Sequence, residues 1–289
     1  MIRREYKFAG LEFAVSMPEN MAYESEYRLE PFRTEETKDP FLIRVEKVRE
    51  LTPPSGTCVE SQAYFCIYRD GEDQIRYVGT HRKSWEDAYQ RICFRGKTID
   101  VQLLEDRVPE RIGTKPVLDA MMPEHLLVHQ RGFLFHCSWI GWDGKAILFT
   151  APSQTGKSTQ AELWKKHRNA QILNGDRAAV RIVEDTVMAE GIPFCGSSDY
   201  CENKSMPIRA IVYLGQAPVT TVRKLRGYEA FSRIWEGISV NTWDREDLEK
   251  ATDTVMEVVK RVPVYHMLCT PDEAAVVALE RELRKPVSE

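Results

Sequence analysis

The sequence of 289 residues lacks the long apolar run of a membrane-spanning helix. Such a helix requires roughly 18 consecutive apolar residues, and no apolar stretch of the sequence approaches that length. Behind its basic start, MIRREYKFAG, it also lacks the apolar segment of a secretory signal. Seven cysteines are present, an odd number, and no two form a CxxC pair. These absences predict a cytoplasmic protein with reduced thiols and no membrane partner.

A marked excess of basic residues is also missing, because 40 Lys and Arg stand against 44 Asp and Glu, a net charge of −4. A global basic field that holds nucleic acid is therefore excluded, and we expect no nucleic-acid partner. Hydrophobic residues make up 43% and charged residues 29%, which is typical of a folded globular chain. The length suits one large domain or two modest ones.

The first half of the chain predicts an N-terminal, mostly antiparallel β region. Residues 6–8 and 11–15 flank Ala9-Gly10 and predict a hairpin. Phe41–Val48 alternates apolar and charged residues, as a half-buried strand does. Two further hairpins are predicted, pairing 63–68 with 74–78 and 91–94 with Thr98–Leu104.

A charged stretch at 105–115 predicts a boundary between a β-rich domain, 1–115, and a second domain, 116–289. The second domain opens with a predicted helix over 116–129 that Pro123 interrupts. Its later pattern predicts a helix over 244–261.

The most specific motif is APSQTGKST at 151–159, which follows an apolar strand, 146–150, and precedes a predicted helix, 159–167. A phosphate-binding loop needs this order, because a tight glycine turn and a helix start aim backbone N–H groups at one anion. Gly156 supplies the turn, Lys157 the cation and Ser158 a hydroxyl for Mg²⁺. The predicted nucleotide-binding residues are Ser153, Gln154, Thr155, Gly156, Lys157, Ser158 and Thr159.

The motif departs from the Walker A pattern GxxxxGK[ST] at its first position, where Ala151 replaces glycine. Alanine is tolerated there only with a negative φ. A chance Gly-Lys-Ser in a polar loop is the alternative, but the strand before it and the helix after it favour nucleotide binding.

A phosphoryl-transfer site also needs a carboxylate for the metal. Asp176 in ILNGDRAAVRI is the candidate, although Asn174-Gly175 could equally form a hairpin turn that leaves Asp176 exposed. His136, in FLFHCSWI, is a candidate proton acceptor or else a buried structural histidine. His125, His129 and His266 lie among apolar neighbours and are interpreted as structural.

This arrangement resembles the C-terminal catalytic domain of HPr kinase/phosphorylase, a fold shared with ATP-dependent phosphoenolpyruvate carboxykinases. The resemblance covers about residues 116–285. Phe135-His136-Cys137 is similar to the family's histidine strand, 151–158 to its GxSGxGKS loop, and 174–177 to its xxDDR segment. Residues 191–196, GIPFCG, resemble a G-x-P-[WF]-x-G segment of looser family members.

The resemblance implies an α/β (α+β mixed) fold with a P-loop core, and ATP and Mg²⁺ as cofactors. It implies catalytic roles for His136, Asp176 and Lys157, and metal ligation by Ser158 and Asp176. Arg177 or Arg209 could stabilise the transferred group, and Asp199 or Glu202 could face the acceptor. HPr enzymes are hexamers, so the resemblance also allows a homo-oligomer.

Two departures bear on catalysis. Gln154 stands where the family has glycine, and Gly175 replaces the first Asp of the DD pair, which the family uses as acid and base. The sequence therefore predicts a kinase that transfers the γ-phosphate of ATP to a hydroxyl of a small molecule, peptide or protein. The alternative is a nucleotide-binding regulatory module with lost or weak catalysis. A carboxykinase-like enzyme and an ordinary P-loop GTPase or ATPase rank behind both.

Overall fold

The structure is a computed structural model that describes residues 1–22, 28–80, 84–198 and 200–285. The chain divides into two compact units, Met1–Met122 and Pro123–Glu289. Each unit is built on a large mixed sheet, so the fold is mixed α/β with few helices. No helix within the described ranges is long and apolar enough to cross a membrane. The functional division into 1–115 and 116–289 stays a prediction.

The first unit contains a nine-stranded sheet and one short α-helix. Its elements are β1 (Ile2–Phe8), β2 (Leu11–Met17), β3 (Arg33–Thr34), β4 (Phe41–Val48), β5 (Thr57–Ser61), β6 (Phe65–Asp70), β7 (Asp73–Val78), β8 (Gln90–Arg95), β9 (Thr98–Leu104) and α1 (Lys115–Met121). The strand order is β3-β1-β2-β4-β9-β8-β7-β6-β5.

The three predicted hairpins of this unit are confirmed as β1–β2, β6–β7 and β8–β9. The described sheet is mostly antiparallel, as expected, and β4 is the exception because it pairs in parallel with both β2 and β9. The chain runs from Met17 to Phe41 before β4 begins, far more than a hairpin loop, and such a connection allows parallel entry.

The second unit contains a ten-stranded sheet with helices against it. Its elements are α2 (Pro123–Leu126), β10 (Gly132–His136), β11 (Ser138–Trp142), β12 (Lys145–Thr150), α3 (Lys157–Arg168), β13 (Gln171–Asn174), β14 (Arg177–Val183), β15 (Thr186–Glu190), β16 (Ser205–Gln216), β17 (Thr221–Leu225), α4 (Gly227–Trp235), β18 (Ile238–Ser239), α5 (Arg245–Arg261), β19 (Val264–Cys269) and α6 (Glu273–Leu283). The order is β13-β11-β12-β16-β15-β14-β10-β18, with β19 beside β16 and β17 beside β19.

Two hydrophobic clusters hold the helices against this sheet. Ala161 and Trp164 of α3 pack with Leu279 of α6 in one cluster, whereas Ile234 of α4 and Val255 of α5 belong to the other. Because α3 and α6 share one apolar cluster with the strands, the start of α3 is fixed relative to the end of β12.

The predicted helices around the second unit need small corrections. The interruption expected at Pro123 in the helix over 116–129 is confirmed, since Met122 takes a left-handed φ of 41° and a new helical turn starts at Pro123. Proline disfavours helical backbone in the residue before it, which accounts for the break. The helix after the phosphate-loop motif begins at Lys157, two residues earlier than predicted.

The parallel pairs of the sheet define the edge where the motif lies. Strand β16 runs parallel to both β12 and β19, so their carboxyl ends lie at one edge. The loop 151–156 leaves β12 at that edge and leads directly into α3. Loops at the carboxyl edge of parallel strands are where α/β proteins bind ligands.

Candidate nucleotide site

The loop 151–156 joins a buried strand to a helix in the order that the motif predicts. Gly156 forms the N-cap of α3 with φ 114°, a backbone conformation that L side chains rarely adopt. Ala151 is not among the described residues with positive φ, so it meets the condition for replacing glycine. The helix start leaves the first N–H groups of α3 without partners inside the helix.

Gln154 takes a left-handed φ of 63° at the position where the resemblance predicts glycine. Left-handed backbone costs a non-glycine residue roughly 1–2 kcal/mol. The loop therefore keeps the glycine-like conformation although the residue has a side chain. Gln154 consequently stores local strain, which is a common feature of binding loops.

The ammonium group of Lys157 is buried and is held by neutral oxygens. Its Nζ donates to the carbonyl of Ala151 at 3.0 Å and to that of Pro152 at 3.3 Å. Burial lowers the pKa of Lys157, and the charge of Asp176 opposes that shift. A buried cation bonded to neutral carbonyls gains from an added anion, so this residue fits a phosphate group.

Asn174 shapes the turn that carries Asp176. Its buried Oδ1 accepts hydrogen bonds from the backbone N–H of Asp176 at 2.9 Å and of Arg177 at 3.0 Å. Its Nδ2 donates to the carbonyls of Phe194 at 3.1 Å and Ile192 at 3.4 Å. The turn is thereby attached to residues 191–196, the segment that the resemblance singled out.

The hairpin alternative for Asn174-Gly175 is wrong. Strand β13 pairs with β11, and β14 pairs with β10 and β15, so the two strands that flank this dipeptide do not pair with each other. Gly175 is also absent from the glycines with positive φ, which a two-residue type I′ hairpin requires.

Position 175 needs a glycine because a side chain would not fit there, and not because its backbone conformation demands one. A Cβ at this position would lie 2.7 Å from the Cβ of Ser198 and closer still to its hydroxyl. Ser198 is held by its own hydrogen bonds to Cys195 and Tyr200. The structure thus has no room for an Asp side chain at 175 with Ser198 where it is.

His136, Asp176 and Arg177 form a chain of charged and ionisable groups. The His136 Nδ1 lies 3.8 Å from Asp176 Oδ1, and Arg177 Nε lies 3.2 Å from Asp176 Oδ2. The pairing of β10 with β14 brings them together, because His136 is opposite Arg177 in the register. Burial lowers the pKa of His136, and the charge of Lys157 adds to the shift, which favours the neutral imidazole.

Most of the sequence-predicted site residues border one cavity of about 620 Å³. Among the described residues its wall includes His136, Ser153, Gln154, Gly156, Lys157, Ser158, Thr159 and Asp176. Thr155 is not among them, and its carbonyl accepts a hydrogen bond from Gln216 instead.

Several wall residues were missed by the sequence interpretation. They are Ser138, Ala161, Glu162, Ile172, Gly175, Cys195, Ser197, Ser198 and Tyr200. Ser138 follows the histidine strand by two positions, and Glu162 and Tyr200 join through a 3.0 Å hydrogen bond. The GIPFCG motif contains Cys195, and the polar loop 197–205 that carries the candidates Asp199 and Glu202 contains Ser197, Ser198 and Tyr200.

Other predicted residues lie elsewhere. Arg209 pairs with Asp143 at 3.1 Å and stacks on Trp142, away from the cavity wall. Glu202 is exposed and is not part of the described wall. Asp199 falls outside the described residues.

The polar groups that line the cavity suit a nucleotide and Mg²⁺. The hydroxyl of Ser138 is buried and has no hydrogen-bond partner among the described residues, although the residue borders the cavity. A bound group with polar atoms would satisfy it, since an unpaired buried hydroxyl is costly. The carboxylate of Asp176 and the hydroxyl of Ser158 are oxygen donors of the kind Mg²⁺ prefers. The donor set fits the group.

Comparison with known proteins adds little beyond this geometry. No protein-family model and no curated protein matches the chain. Among solved structures, the Hpr(Ser) kinase/phosphatase from Coxiella burnetii is a structural neighbour. It is 10% identical, the match covers 52% of this chain and 95% of that chain, and the TM-score is 0.31. A likeness of this size shows neither the family nor the function of this chain.

The close contact at Gly175 generates a prediction. Gly175→Ala should lower the free energy of unfolding by about 1–3 kcal/mol, because the new methyl group overlaps Ser198. The double variant Gly175→Ala/Ser198→Gly should recover most of that loss, since the obstructing side chain is gone. Urea unfolding of the two single variants and the double variant measures the coupling. Additive effects of the two changes would show that the two residues do not compete for space.

Proposed function

We propose that the second unit binds Mg²⁺·ATP in the cavity and transfers the γ-phosphate to a hydroxyl group of a second substrate. The single observation that carries the proposal is the buried Lys157 ammonium in a strand–loop–helix turn, where its Nζ donates to two backbone carbonyls. Such a turn gathers backbone N–H groups and a cation at one point, which is how proteins hold polyphosphates.

In this proposal the residues 153–159 bind the phosphates through backbone N–H groups, and Lys157 exchanges its carbonyl partners for phosphate oxygens. Ser158 and Asp176 would hold Mg²⁺, which when bound neutralises charge on the phosphate oxygens. Thr159 continues the first turn of α3 and adds a hydroxyl beside the loop.

His136 and Asp176 provide the proton acceptor that transfer requires. The acceptor hydroxyl loses its proton to the neutral His136 imidazole as its oxygen forms a bond to the γ-phosphorus. The bond from that phosphorus to the bridging oxygen breaks, and ADP leaves with the electron pair. Asp176, 3.8 Å from the imidazole, stabilises the resulting imidazolium. A loose transition state demands little proton transfer, so the gain from this step is modest.

A second candidate function is a nucleotide-binding regulatory module without efficient transfer. The observation that favours it is the packing of Ser198 over Gly175, which excludes the second carboxylate that the family resemblance leads us to expect. Asp176 is then left as the sole carboxylate of its turn, and Arg177 already occupies one of its oxygens.

Transfer and binding are distinguished by a direct assay. The purified chain is incubated with γ-labelled ATP, Mg²⁺ and panels of hydroxyl metabolites and peptides, beside the Lys157→Ala variant. The kinase is supported if an acceptor becomes labelled with the unaltered chain but not with the Lys157→Ala variant. Tight Mg²⁺·ATP binding without transfer to any acceptor or to water supports the regulatory module.

Lys157→Ala should weaken Mg²⁺·ATP binding by about 10- to 100-fold, because charge-assisted hydrogen bonds contribute roughly 1.5–3 kcal/mol. Isothermal titration calorimetry measures the change. The matched control is Lys166→Ala on the same helix, an exposed lysine outside the cavity wall, which should alter affinity less than twofold. Equal affinities for Lys157→Ala and the unaltered chain would refute the proposed phosphate site.

Asp176→Asn should remove most of the Mg²⁺ dependence of ATP binding, since an amide oxygen is a weaker ligand than a carboxylate. Titrations with and without Mg²⁺ give the ratio of affinities for each protein. Asp143→Asn, at an exposed carboxylate away from the cavity, serves as control and should keep the ratio of the unaltered chain. If the ratio of affinities is unchanged in Asp176→Asn, Asp176 is not the metal ligand.

His136→Gln should slow γ-phosphate transfer by about 10- to 100-fold and leave Mg²⁺·ATP affinity within twofold, because the imidazole acts on the acceptor hydroxyl and not on the nucleotide. Transfer to water or to an identified acceptor provides the rate. His266→Gln is the control, a histidine outside the cavity wall. Loss of nucleotide affinity with an unchanged rate would instead make His136 a nucleotide-binding residue.

A further inference from the structure

A second cluster of ionisable side chains lies in the same unit, away from the nucleotide cavity. His125 in α2, His129 in the following 3₁₀ turn and Asp247 in the first turn of α5 converge, and one ligand atom from each lies within 4.8 Å of the others. None of the three borders the nucleotide cavity. The interpretation of both histidines as structural residues among apolar neighbours missed this carboxylate, which is 118 residues or more away in sequence.

The contacts of Asp247 resemble a ligand sphere. His125 Nδ1 lies 2.9 Å from Oδ2, and His129 Nε2 lies 3.0 Å from Oδ1. Tetrahedral bonds of about 2.0–2.2 Å place ligand atoms about 3.3–3.6 Å apart. Each distance from the carboxylate to an imidazole nitrogen therefore needs to open by roughly half an ångström, and the ligand atoms of the three residues already lie within 4.8 Å of one another. Histidines four residues apart on successive turns with one distant carboxylate are a donor set that zinc accepts.

The carboxylate is also oriented by outer contacts. Asp247 is fully buried, and Asn241 Nδ2 donates to its Oδ2 at 2.9 Å. A fully buried carboxylate between two imidazoles holds its oxygens away from water, and a divalent cation would compensate its charge. Fixed outer partners of this kind are typical of metal ligands.

The second nitrogen of His129 provides the decisive detail. Its Nδ1 lies 2.9 Å from Lys250 Nζ and 3.9 Å from a carboxylate oxygen of Glu246. An ammonium group only donates, so in this arrangement Nδ1 accepts and the ring proton lies on Nε2, toward Asp247. Metal ligation by Nε2 requires the ring proton on Nδ1, and the Glu246 carboxylate, 3.9 Å away, would have to move closer to accept it. Lys250 then keeps only its 2.8 Å ion pair with Glu246.

We propose that His125, His129 and Asp247 bind one divalent transition cation of the zinc class, in competition with Lys250. Water supplies the fourth ligand from an adjacent cavity of about 310 Å³ that His129, Lys250, Asp253 and Glu257 border. Two imidazoles and one carboxylate suit zinc better than Mg²⁺ or Ca²⁺, which prefer oxygen ligands.

The test uses the full untagged chain after chelator treatment and dialysis, titrated with Zn²⁺ and separately with Co²⁺. We expect one zinc ion per chain, and a cobalt absorption spectrum of a four-coordinate site without sulfur-to-cobalt charge transfer. His129→Gln should weaken zinc binding at least tenfold. His136→Gln, in the nucleotide cavity, should leave it unchanged.

Lys250→Met separates a metal site from a purely hydrogen-bonded cluster. It removes the competing ammonium and should tighten zinc binding by several-fold. The proposal is overturned if the unaltered chain binds no zinc, if His129→Gln and the unaltered chain bind it equally, or if His136→Gln abolishes binding. Weaker zinc binding by Lys250→Met would also overturn it. Because His129 is partly exposed, its variant avoids the folding defect that the buried Asp247 position risks.

Discussion

The candidate nucleotide site depends on the side-chain amide of Asn174. Its oxygen receives the N–H groups of Asp176 and Arg177, and its nitrogen donates to Phe194 and Ile192. One fully buried side chain thus fixes the turn that carries the carboxylate and the segment that faces it. Hydrogen bonds in such surroundings are costly to lose, because water cannot replace them. A single residue therefore governs where the carboxylate stands relative to the loop 151–156.

The site also balances opposed demands on charge and backbone conformation. Burial disfavours the ionised forms of both His136 and Lys157, yet Asp176 favours them. Gln154 meanwhile holds a left-handed conformation that its side chain disfavours. These costs fall around one cavity, whereas α3 and α6 pack on the sheet through a hydrophobic cluster. Strain and desolvation concentrated against a rigid scaffold are characteristic of binding sites.

The sequence predicted what depends on local pattern. The hairpins of the first unit, the strand Phe41–Val48 and the helix after the glycine turn are confirmed, because alternation, turn residues and helical spacing are local signals. The parallel pairs of β4 were not predicted, since they depend on a long connection. The role of Asn174 was also missed: as a dipeptide with Gly175 it indicates a hairpin, whereas the partners that decide its conformation are 18 and 20 residues away. The carboxylate partner of His125 and His129 was not predicted for the same reason, since Asp247 is 118 residues or more away in sequence. The catalytic and metal roles assigned to the site residues stay predictions.

The bond from Lys157 to the carbonyl of Ala151 has a thermodynamic consequence. It joins residues six positions apart and so closes the loop into a ring within the folded chain itself. The conformational entropy of these residues is lost during folding, and an arriving polyanion does not have to order them. When a polyanion binds, the Lys157 ammonium exchanges a carbonyl acceptor for a charged oxygen. The free energy of binding then depends on how much more strongly a charged oxygen accepts a hydrogen bond from the ammonium than a peptide carbonyl does.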